Sequence, residues 1–430
     1  MSLREKILDR SAKIGIVGLG YVGLPLAVEF AQAGFKVWGI DVDKGRVDNL
    51  LAGRSYIQDV PQSTLSELVS AGKLTATTDY LVLKQIDAVS ICVPTPLRKT
   101  RDPDIQYIAD ATAKICECLH REMLVTLEST TYPGTTDEIL LADFRAAGFE
   151  VGKDFFLAFS PERIDPGNPN WNTHNTPKII GGVTPACSAL ATLLYEQVIE
   201  RVICVSSTKA AEMVKLLENT FRAVNIGLVN EIAIMCDKLG IEVWEVIEAA
   251  ATKPFGFMPF FPGPGLGGHC IPIDPLYLSW KLKTLNYNAR FIELASEINT
   301  AMPEHVAGKI ARALNRAKKA VNGSKIMVLG VAYKKDISDV RESPALDIIR
   351  LLQLDGAEVS YSDPYVAEMR LDNGKLSSLA LSTENLRKQD CVVIVTDHSC
   401  LDYDLVARES ALVMDCRNAI RTKAANVVKL

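Results

Sequence analysis

The N-terminal part of the chain alternates short, mostly apolar runs with stretches whose apolar residues recur at helical spacing. Lys13–Val17 and Phe35–Ile40 are apolar runs of strand length, and a helical pattern lies between them from Leu24 to Ala31. Three further buried strands are predicted at 87–93, 123–128 and 155–159. Strands that alternate with helices in this way predict a doubly wound parallel sheet.

The middle of the chain has a purely helical pattern. Apolar residues keep helical spacing from about 209 to 250 and from about 288 to 319, and Pro303 is a position at which the second helix can break or kink. An α/β pattern then resumes, with a helix at Pro344–Leu354 and strands at 324–329, 357–362, 391–396 and 411–415.

These patterns predict an α/β fold with two Rossmann-like, doubly wound parallel-sheet domains. A central helical domain with a long connecting helix is expected to join them. The expected boundaries are 1–205, 206–318 and 319–430. In the C-terminal domain the glycine-rich turn is reduced to Gly330, which suggests a different nucleotide-type ligand there.

Composition and charge exclude several classes of function. The 430 residues carry a net charge of −5 and no Lys/Arg-rich run, which argues against a nucleic acid partner. No apolar run reaches the ~18 residues of a membrane span, and the first residues lack the apolar core of a secretory signal. The ten cysteines and five histidines show neither a disulfide framework nor metal-ligand spacing. We therefore expect a soluble, cytoplasmic protein with reduced thiols and no metal or membrane partner.

A glycine-rich turn connects the first predicted strand to the first helix. Asp41 ends the next strand, and the turn consists of Gly18, Leu19, Gly20, Tyr21, Val22 and Gly23. In this setting the glycines let a pyrophosphate approach the helix N-terminus, and the acid accepts ribose hydroxyls. An acid repels a 2′-phosphate, so NAD is favoured over NADP, although Arg46 could stack on adenine or pair with phosphate. The alternative is a turn that binds nothing.

Three polar residues, Thr95, Thr131 and Glu162, lie just past the ends of later strands. Ligands of doubly wound sheets bind at the carboxyl ends of the strands, so these side chains are expected to face the cofactor. The alternative is that the hydroxyls only cap helices.

The loop 263–275 is shaped by glycine and proline and carries Cys270. Pro272 and Pro275 are tolerated only in a first helical turn, so we expect Cys270 at a helix start, where the helix dipole favours the thiolate. Asp274, four residues on, would share its helix face. This predicts a covalent catalytic site, and the alternative is a buried, inert cysteine.

Two further sets of polar residues are candidates for binding. Lys215 and Asn219 share one helix face, although such residues are often only a solvated flank. Lys334, Lys335 and Arg341 cluster at the first strand-to-helix connection of the C-terminal lobe, where an anionic phosphate would bind. A charged surface loop is the alternative for this second set.

Together these motifs resemble the UDP-glucose/GDP-mannose dehydrogenase family over essentially the whole chain. The segments that carry the resemblance are 18–23, 93–96, 128–133, 160–163, 215–219, 267–274 and 334–344. The resemblance implies that the C6 alcohol of a sugar nucleotide is oxidised to a carboxylate with two NAD⁺. It further implies that Cys270 captures the intermediate aldehyde as a thiohemiacetal, which becomes a thioester that water cleaves.

The same resemblance assigns roles to the other candidates. Lys215 and Asn219 would stabilise oxyanions, and Asp274, Glu162 or Thr131 would manage protons through an ordered water, with Asp274 ranked first. The implied cofactor contacts are the turn 18–23, Asp41, Arg46, Thr95, Thr131 and Arg341. The implied substrate contacts are Glu162, Arg163, Lys215, Asn219, Phe260, Phe261, Gly267, Lys334 and, more weakly, Arg417.

The loops 160–168 and 253–265 look like those of the branch that oxidises UDP-N-acetylhexosamines, most closely UDP-N-acetylglucosamine. His269 stands where UDP-glucose members generally have serine. The same chemistry on UDP-N-acetylgalactosamine, UDP-N-acetylmannosamine or UDP-glucose stays open, as does a non-catalytic nucleotide-sensing scaffold. The resemblance also implies a homo-oligomer, a dimer or larger, that supplies surface polysaccharide such as lipopolysaccharide O-antigen.

Overall fold

The computed structural model describes residues 1–57, 59–98, 102–165, 168, 170–268, 270–371 and 374–430. The described chain forms two compact units. The first comprises residues 1–218 and 276–287, and the second comprises 219–275 and 288–430. The expected domain limits at 205 and 318 stay predictions.

An eight-stranded sheet forms the centre of the first unit, in the order β3-β2-β1-β4-β5-β6-β7-β8. Its strands are β1 (Lys13–Val17), β2 (Lys36–Ile40), β3 (Leu74–Thr77), β4 (Ala88–Ile91), β5 (Leu124–Leu127), β6 (Phe156–Phe159), β7 (Lys178–Gly182) and β8 (Val202–Val205). The order 3-2-1-4-5-6 is that of a dinucleotide-binding Rossmann sheet. Every residue of β4 and β5 is buried, as expected for strands covered on both faces.

One strand pair departs from the parallel sheet that the pattern predicts. β6 and β7 run antiparallel, with Ala158 opposite Gly182 and Phe159 opposite Gly181. A parallel return needs a crossover, usually a helix, and no helix is described between these two strands. The other neighbouring pairs in this sheet are parallel.

Several helices that surround the first sheet begin at a residue whose side chain caps the helix N-terminus. The Asp43 carboxylate accepts from the Gly45 amide at the start of the helix Lys44–Leu51, and the Thr184 hydroxyl accepts from the Cys187 amide at the start of the helix Pro185–Tyr195. The helices are α1 (Leu3–Leu8), α2 (Gly23–Gln32), α3 (Lys44–Leu51), α4 (Gln62–Ser70), α5 (Gln106–Cys116), α6 (Ala142–Ala146) and α7 (Pro185–Tyr195), with a 3₁₀ turn at Tyr80–Gln85 and a π-helical turn at Thr136–Leu141.

Four helices follow: α8 (Thr208–Leu239), α9 (Val243–Ala251), α10 (Asp274–Lys283) and α11 (Arg290–Arg316). The single helical stretch expected from 209 to 250 is two helices, because Gly240 adopts a φ of +69° that ends α8. α11 continues through Pro303 without a break, since the proline removes only one backbone donor and the turns on both sides remain helical. Among the described helices, none combines the length and apolar character that a membrane crossing requires.

A five-stranded parallel sheet forms the centre of the second unit, in the order β10-β9-β13-β14-β15. These strands are β9 (Lys325–Leu329), β10 (Glu358–Ser362), β13 (Cys391–Ile394), β14 (Val413–Asp415) and β15 (Val427–Lys429). The antiparallel hairpin β11 (Glu368–Leu371) and β12 (Gly374–Ser377) and the helices α12 (Pro344–Leu354), α13 (Thr383–Arg387) and α14 (Tyr403–Glu409) complete it. The predicted fold class is thus confirmed.

The two sheets share one steric feature at the end of their first strands. Gly18 and Gly330 follow β1 and β9 with φ values of +93° and +77°. A Cβ on Gly18 would lie 2.6 Å from the carbonyl oxygen of Cys92, and a Cβ on Gly330 would overlap the carbonyl oxygen of Thr396. Both glycines are therefore required by the backbone itself.

Candidate active site

The glycine-rich turn after β1 has the geometry of a dinucleotide site. Gly18 is required by its positive φ, and Gly23 is required because a Cβ there would overlap the Gly18 carbonyl. Gly20 differs, since a Cβ there would meet, among the described residues, only the Arg46 guanidinium, 4.0 Å away. This leaves open space beside Gly20 and the N-terminus of α2, where Val22 has no capping side chain. The turn therefore fits a bound pyrophosphate.

Asp41 is buried at the end of β2 and organises the same turn. One carboxylate oxygen accepts from the Leu19 amide at 2.7 Å, and the other accepts from the Asp43 amide at 2.8 Å. A carboxylate has about four acceptor positions, so capacity remains for ribose hydroxyls. Arg46 is engaged with Asp41 at 3.3 Å and with Asp43 at 3.7 Å. This neutralisation leaves little positive charge for a 2′-phosphate and agrees with the preference for NAD. The remaining turn residue, Tyr21, is exposed.

The residues past the later strands have environments that suit a ligand. Among the described residues, the buried hydroxyls of Thr131 and Ser160 find no hydrogen-bond partner, and orphaned buried groups usually belong to a ligand or water site. Thr131 therefore does not act as a helix cap here. Thr95 is half-buried, and its carbonyl accepts from the Tyr277 hydroxyl at 3.0 Å.

Glu162 and Lys215 are linked through the main chain. The Glu162 carbonyl accepts from the Lys215 ammonium at 3.0 Å, and one Glu162 carboxylate oxygen accepts from the amides of Arg163 and Ile164, both at 2.8 Å. Lys215 is only 8% exposed, so it is not a solvated flank residue. Arg163 is held by Glu218 at 2.6 Å.

Cys270, Asp274 and Asn219 lie together in the second unit. The Cys270 carbonyl accepts from the Asp274 amide at 2.8 Å, and the buried Asp274 carboxylate accepts from the Asn219 side-chain amide at 2.5 Å. The cysteine is partly exposed, so it is not enclosed in a core. The expectation that Cys270 starts a helix needs correction. α10 begins at Asp274, one turn later, with Pro275 in its first turn. Cys270 lies at the start of the turn directly before α10, where its carbonyl accepts from the amides of Ile273 and Asp274.

The loop before Cys270 packs against α8 and the C-terminal lobe through its glycines. Gly263 donates its amide to Asn230 Oδ1 at 2.9 Å, and Gly268 donates to the Arg341 carbonyl at 3.0 Å. A Cβ on Gly267 would lie 2.7 Å from the Cβ of Tyr333, and one on Gly268 would lie 2.8 Å from its ring. These contacts fix the loop that carries Cys270.

The expected substrate contacts of the second unit have varied surroundings. Phe260 packs edge-on against Phe221, and the half-exposed Phe261 stacks on Trp244. Arg417 donates to the Val395 carbonyl at 2.7 Å, and a Cβ on Gly263 would lie 2.6 Å from its guanidinium, so the structure brings Arg417 to the loop. Lys334 is half-buried and Lys335 is exposed, whereas the exposed Arg341 pairs with Asp339. His269 lies outside the described residues.

In the C-terminal lobe, Asp363 accepts from backbone amides after the first strand, as Asp41 does in the N-terminal sheet. The sequence patterns did not single out Asp363 or its partners. Asp363, after β10, accepts from the amides of Val331 and Ala332 at 2.7 and 3.1 Å and from His398 Nε2 at 3.0 Å. His398 Nδ1 accepts from the Asp336 amide at 2.9 Å. Although burial would raise the pKa of Asp363, these hydrogen bonds hold it below its usual value. The available signal was an acid at the end of the second strand of each lobe. Asp41 follows Gly18 by 23 residues and Asp363 follows Gly330 by 33, and only Asp41 fits the fingerprint spacing.

Glu212, on α8, is another residue that sequence reasoning missed. Its buried carboxylate accepts from the amides of Gly134 and Thr136 at 2.5 and 2.9 Å and from the Thr136 hydroxyl at 2.8 Å. It thereby fixes the loop that follows Thr131. Burial raises the pKa of Glu212 to about 7, although these hydrogen bonds oppose the shift.

Glu212 should make the stability of the protein depend on pH near neutrality. Because its folded-state pKa is raised, its contribution is fully present below the ordinary pKa of 4.5 and is lost as the pH rises through about 7. The expected change is about 3 kcal/mol across this window. Glu212→Gln cannot ionise, so the unfolding midpoints of wild type and variant should diverge between pH 5 and 8, in favour of the variant at the higher pH. The exposed Glu150→Gln is the control, and equal pH dependence in all three proteins would contradict the assignment.

Among the described residues, no three His, Cys, Asp or Glu side chains are placed together to hold a metal ion.

Comparison with known proteins agrees with this geometry. Residues 12–199, 209–301 and 327–422 match the NAD binding, central and UDP binding domains of the UDP-glucose/GDP-mannose dehydrogenase family. A UDP-N-acetyl-D-mannosamine dehydrogenase from Pyrococcus horikoshii is 36% identical, over 95% of this chain and 96% of that protein. A UDP-N-acetyl-D-glucosamine 6-dehydrogenase from Pseudomonas aeruginosa is 35% identical, over 83% and 84%.

Solved structures give the same result. The structure of the UDP-D-ManNAc dehydrogenase from Pyrococcus horikoshii superimposes with a TM-score of 0.89 at 35% identity and covers 97% of this chain and 98% of that one. The NAD binding domain confirms the predicted cofactor, and the UDP binding domain supports the predicted UDP-sugar substrate. The chain belongs to the UDP-glucose/GDP-mannose dehydrogenase family and is an NAD-dependent UDP-sugar dehydrogenase.

Proposed function

We propose that this enzyme oxidises the C6 alcohol of a UDP-N-acetylhexosamine to the carboxylate in two successive steps. The observation that carries the proposal is the grouping of Cys270, Asp274 and Asn219. An oxidation that stops at a carbonyl needs no nucleophile, whereas a four-electron oxidation gains from covalent capture of the aldehyde. A non-catalytic scaffold would need none of these three side chains.

The overall reaction converts RCH2OH, two NAD⁺ and water into RCOO⁻, two NADH and three protons. In each oxidation the sugar carbon loses a hydride to the nicotinamide, which is the chemistry that the cofactor supplies. Between the two steps the Cys270 thiolate adds to the aldehyde carbon. After the second step a thioester remains, and attack by water releases the acid and returns the thiolate.

The remaining polar groups manage charge and protons. The Lys215 ammonium and the Asn219 amide would stabilise the oxyanions. A side-chain amide has two N–H donors, so Asn219 can hold Asp274 with one and the substrate oxygen with the other. Asp274 would take the proton of the attacking water. Glu162 is a weaker candidate for this role, because its carboxylate is already engaged by two backbone amides.

Several residues would bind the cofactor and the substrate. The turn 18–23, Asp41, Thr95 and Thr131 would contact the NAD, with Arg46 and Arg341 at its periphery. Lys334 and Arg417 would contact the UDP phosphates, and Arg163, Phe260, Phe261 and Gly267 would line the sugar–diphosphate path. The buried orphan hydroxyl of Thr131 and the contact of Gly263 with Arg417 support these assignments.

The sequence pattern favours UDP-N-acetyl-D-glucosamine as the substrate. Similarity to the mannosamine dehydrogenase of Pyrococcus horikoshii favours UDP-N-acetyl-D-mannosamine as the second candidate. UDP-N-acetylgalactosamine and UDP-glucose complete the alternatives. The acid produced would serve surface polysaccharide synthesis, such as that of lipopolysaccharide O-antigen. Both the cofactor and the substrate class suit the expected cytoplasmic location.

An exposed apolar stripe on α8 supports the expected homo-oligomer. Phe221, Leu228, Met235 and Leu239 are 45%, 56%, 45% and 71% exposed, and their spacing of 7, 7 and 4 places them on one helix face. A second copy of the chain would cover this stripe. Analytical ultracentrifugation should report a dimer or larger species, and a monomer at micromolar concentration would contradict the inference.

The test of the proposed function is a panel of UDP-sugars with NAD⁺, followed by NADH absorbance. The panel holds the N-acetylglucosamine, N-acetylmannosamine, N-acetylgalactosamine and glucose forms. We expect kcat/KM for one N-acetylhexosamine to exceed that for UDP-glucose by roughly 10²-fold or more. A protein group that hydrogen-bonds the acetamido group would be left without a partner when UDP-glucose is bound. Preference for UDP-glucose, or binding without turnover, would contradict the proposal.

A further inference from the structure

A buried lysine that the proposed reaction does not use lies at the start of β7. The Lys178 side chain is 6% exposed, and its ammonium lies 2.6 Å from Glu128 Oε2, on a carboxylate that is itself fully buried. Burying two charges costs several kcal/mol per ion, and apolar residues of similar volume usually stabilise a core at least as well. The contribution of this ion pair to the stability of the fold therefore does not explain why two charged residues are buried here.

The surroundings fix the position of the Lys178 ammonium. The second oxygen of Glu128 accepts from the Tyr195 hydroxyl, which lies 2.9 Å from Ser90 Oγ. The ammonium also lies 5.3 Å from the centre of the Tyr195 ring. Burial alone would lower the pKa of Lys178, but the carboxylates of Glu128 and Glu162 raise it, so the lysine stays charged.

The same ammonium faces Glu162. Glu162 Oε2 lies 3.6 Å from Lys178 Nζ and, within the described part of the chain, has no hydrogen-bond partner. The other carboxylate oxygen accepts from the amides of Arg163 and Ile164. The carboxylate is thus held between two backbone donors and one buried cation, and the Glu162 carbonyl accepts from the Lys215 ammonium at 3.0 Å.

We propose that Lys178 is a positioning residue, which holds the Glu162 carboxylate and, through the Glu162 main chain, sets the position of the Lys215 ammonium. This inference rests on the proposed function, in which Lys215 stabilises the oxyanions. Glu128 and Tyr195 keep Lys178 in place, and neither needs to contact the substrate. Without Lys178, the Glu162 carboxylate would lose its cation. The backbone at Glu162 would then be held less firmly, and its carbonyl would no longer fix the Lys215 ammonium.

The test compares Glu128→Gln with the double variant Lys178→Met/Glu128→Gln. The single variant keeps a side-chain oxygen that can accept from the Lys178 ammonium, so Lys178 stays beside Glu162 and kcat should stay within about threefold of wild type. The double variant removes both charges of the Lys178–Glu128 pair, so Glu128 is not left as an unpaired buried charge, and Glu162 alone loses its cation. We expect kcat to fall roughly 10²-fold with both KM values nearly unchanged, because a misplaced catalytic group affects the chemical step.

A second readout does not depend on activity. Hydrogen exchange at the amides of Arg163 and Ile164 should accelerate in the double variant and stay at the wild-type rate in Glu128→Gln. Lys309→Met/Asp237→Asn removes another lysine–carboxylate pair, at 2.7 Å, and should change neither kcat nor this exchange. If the double variant does not fold, Lys178→Gln takes its place, since it retains a donor toward Glu128 but no charge.

The outcomes separate the inference from the function on which it rests. Wild-type kcat in the double variant, or unchanged exchange at Arg163 and Ile164, would overturn the role of Lys178. A wild-type enzyme that turns over none of the UDP-sugars would overturn the proposed function, and the exchange rates would still decide whether Lys178 holds Glu162.

Discussion

Cys270→Ser is expected to slow formation of the sugar acid severely while the first hydride transfer remains measurable. A serine hydroxyl is a far weaker nucleophile than a thiolate, so the aldehyde is no longer captured efficiently. The rate of acid formation should fall on the order of 10³-fold, the scale of a dedicated catalytic group. Rapid-quench product analysis should find at most about one NADH per active site and an aldehyde-level sugar nucleotide.

The exposed cysteines provide the matched control for this variant. Cys204 and Cys400 are more accessible than Cys270, so exposure alone does not single out the proposed nucleophile. Cys204→Ser/Cys400→Ser should keep the wild-type rate of acid formation, and in that background an alkylating reagent should label Cys270 unless substrate is bound. Acid formation by Cys270→Ser at a wild-type rate would exclude the covalent route.

Asp274→Asn is expected to lower kcat by roughly 10² to 10³-fold, since it removes the proposed base for thioester hydrolysis. Asp274 is 1% exposed and accepts from the Asn219 amide. Asn219→Ala should also lower kcat, because it removes an oxyanion donor and the group that orients Asp274. The double variant should be little slower than Asp274→Asn alone, since the two side chains act as one unit.

Asn225→Ala is the control for this pair. Asn225 also lies on α8, but its side chain donates to the Phe221 carbonyl of its own helix. Its kcat should stay near wild type. Fully additive losses in the Asn219 and Asp274 variants would show that the two residues act separately, against the assignment made here.

The sequence predicts elements well where several local signals agree. β1 runs over Lys13–Val17 and α12 over Pro344–Leu354, as expected, because the first is an apolar run before glycine and the second begins at a serine cap followed by proline. The antiparallel return of β7 was not predicted. Strand direction depends on whether a helix crosses over, and the segment between β6 and β7 has no helical pattern to decide it.

The candidate site was predictable where motifs lie at strand ends or in glycine loops. Gly18, Asp41 and Cys270 are of this kind, although the helix that follows Cys270 begins one turn later than expected. Lys178 was not predictable, because its partners are 50 and 16 residues away in the sequence, and nothing local marks a lysine in a short strand as buried. Glu212 was missed for the same reason, since the amides that it accepts from lie 76 and 78 residues earlier.

The most direct test of a four-electron oxidation is the number of NADH formed for each UDP-sugar consumed, with the product identified by mass spectrometry. With a limiting amount of the preferred UDP-N-acetylhexosamine, two NADH should form per sugar and the product should be the C6 carboxylate. One NADH per sugar, with an aldehyde or ketone as the final product, would contradict the covalent role of Cys270.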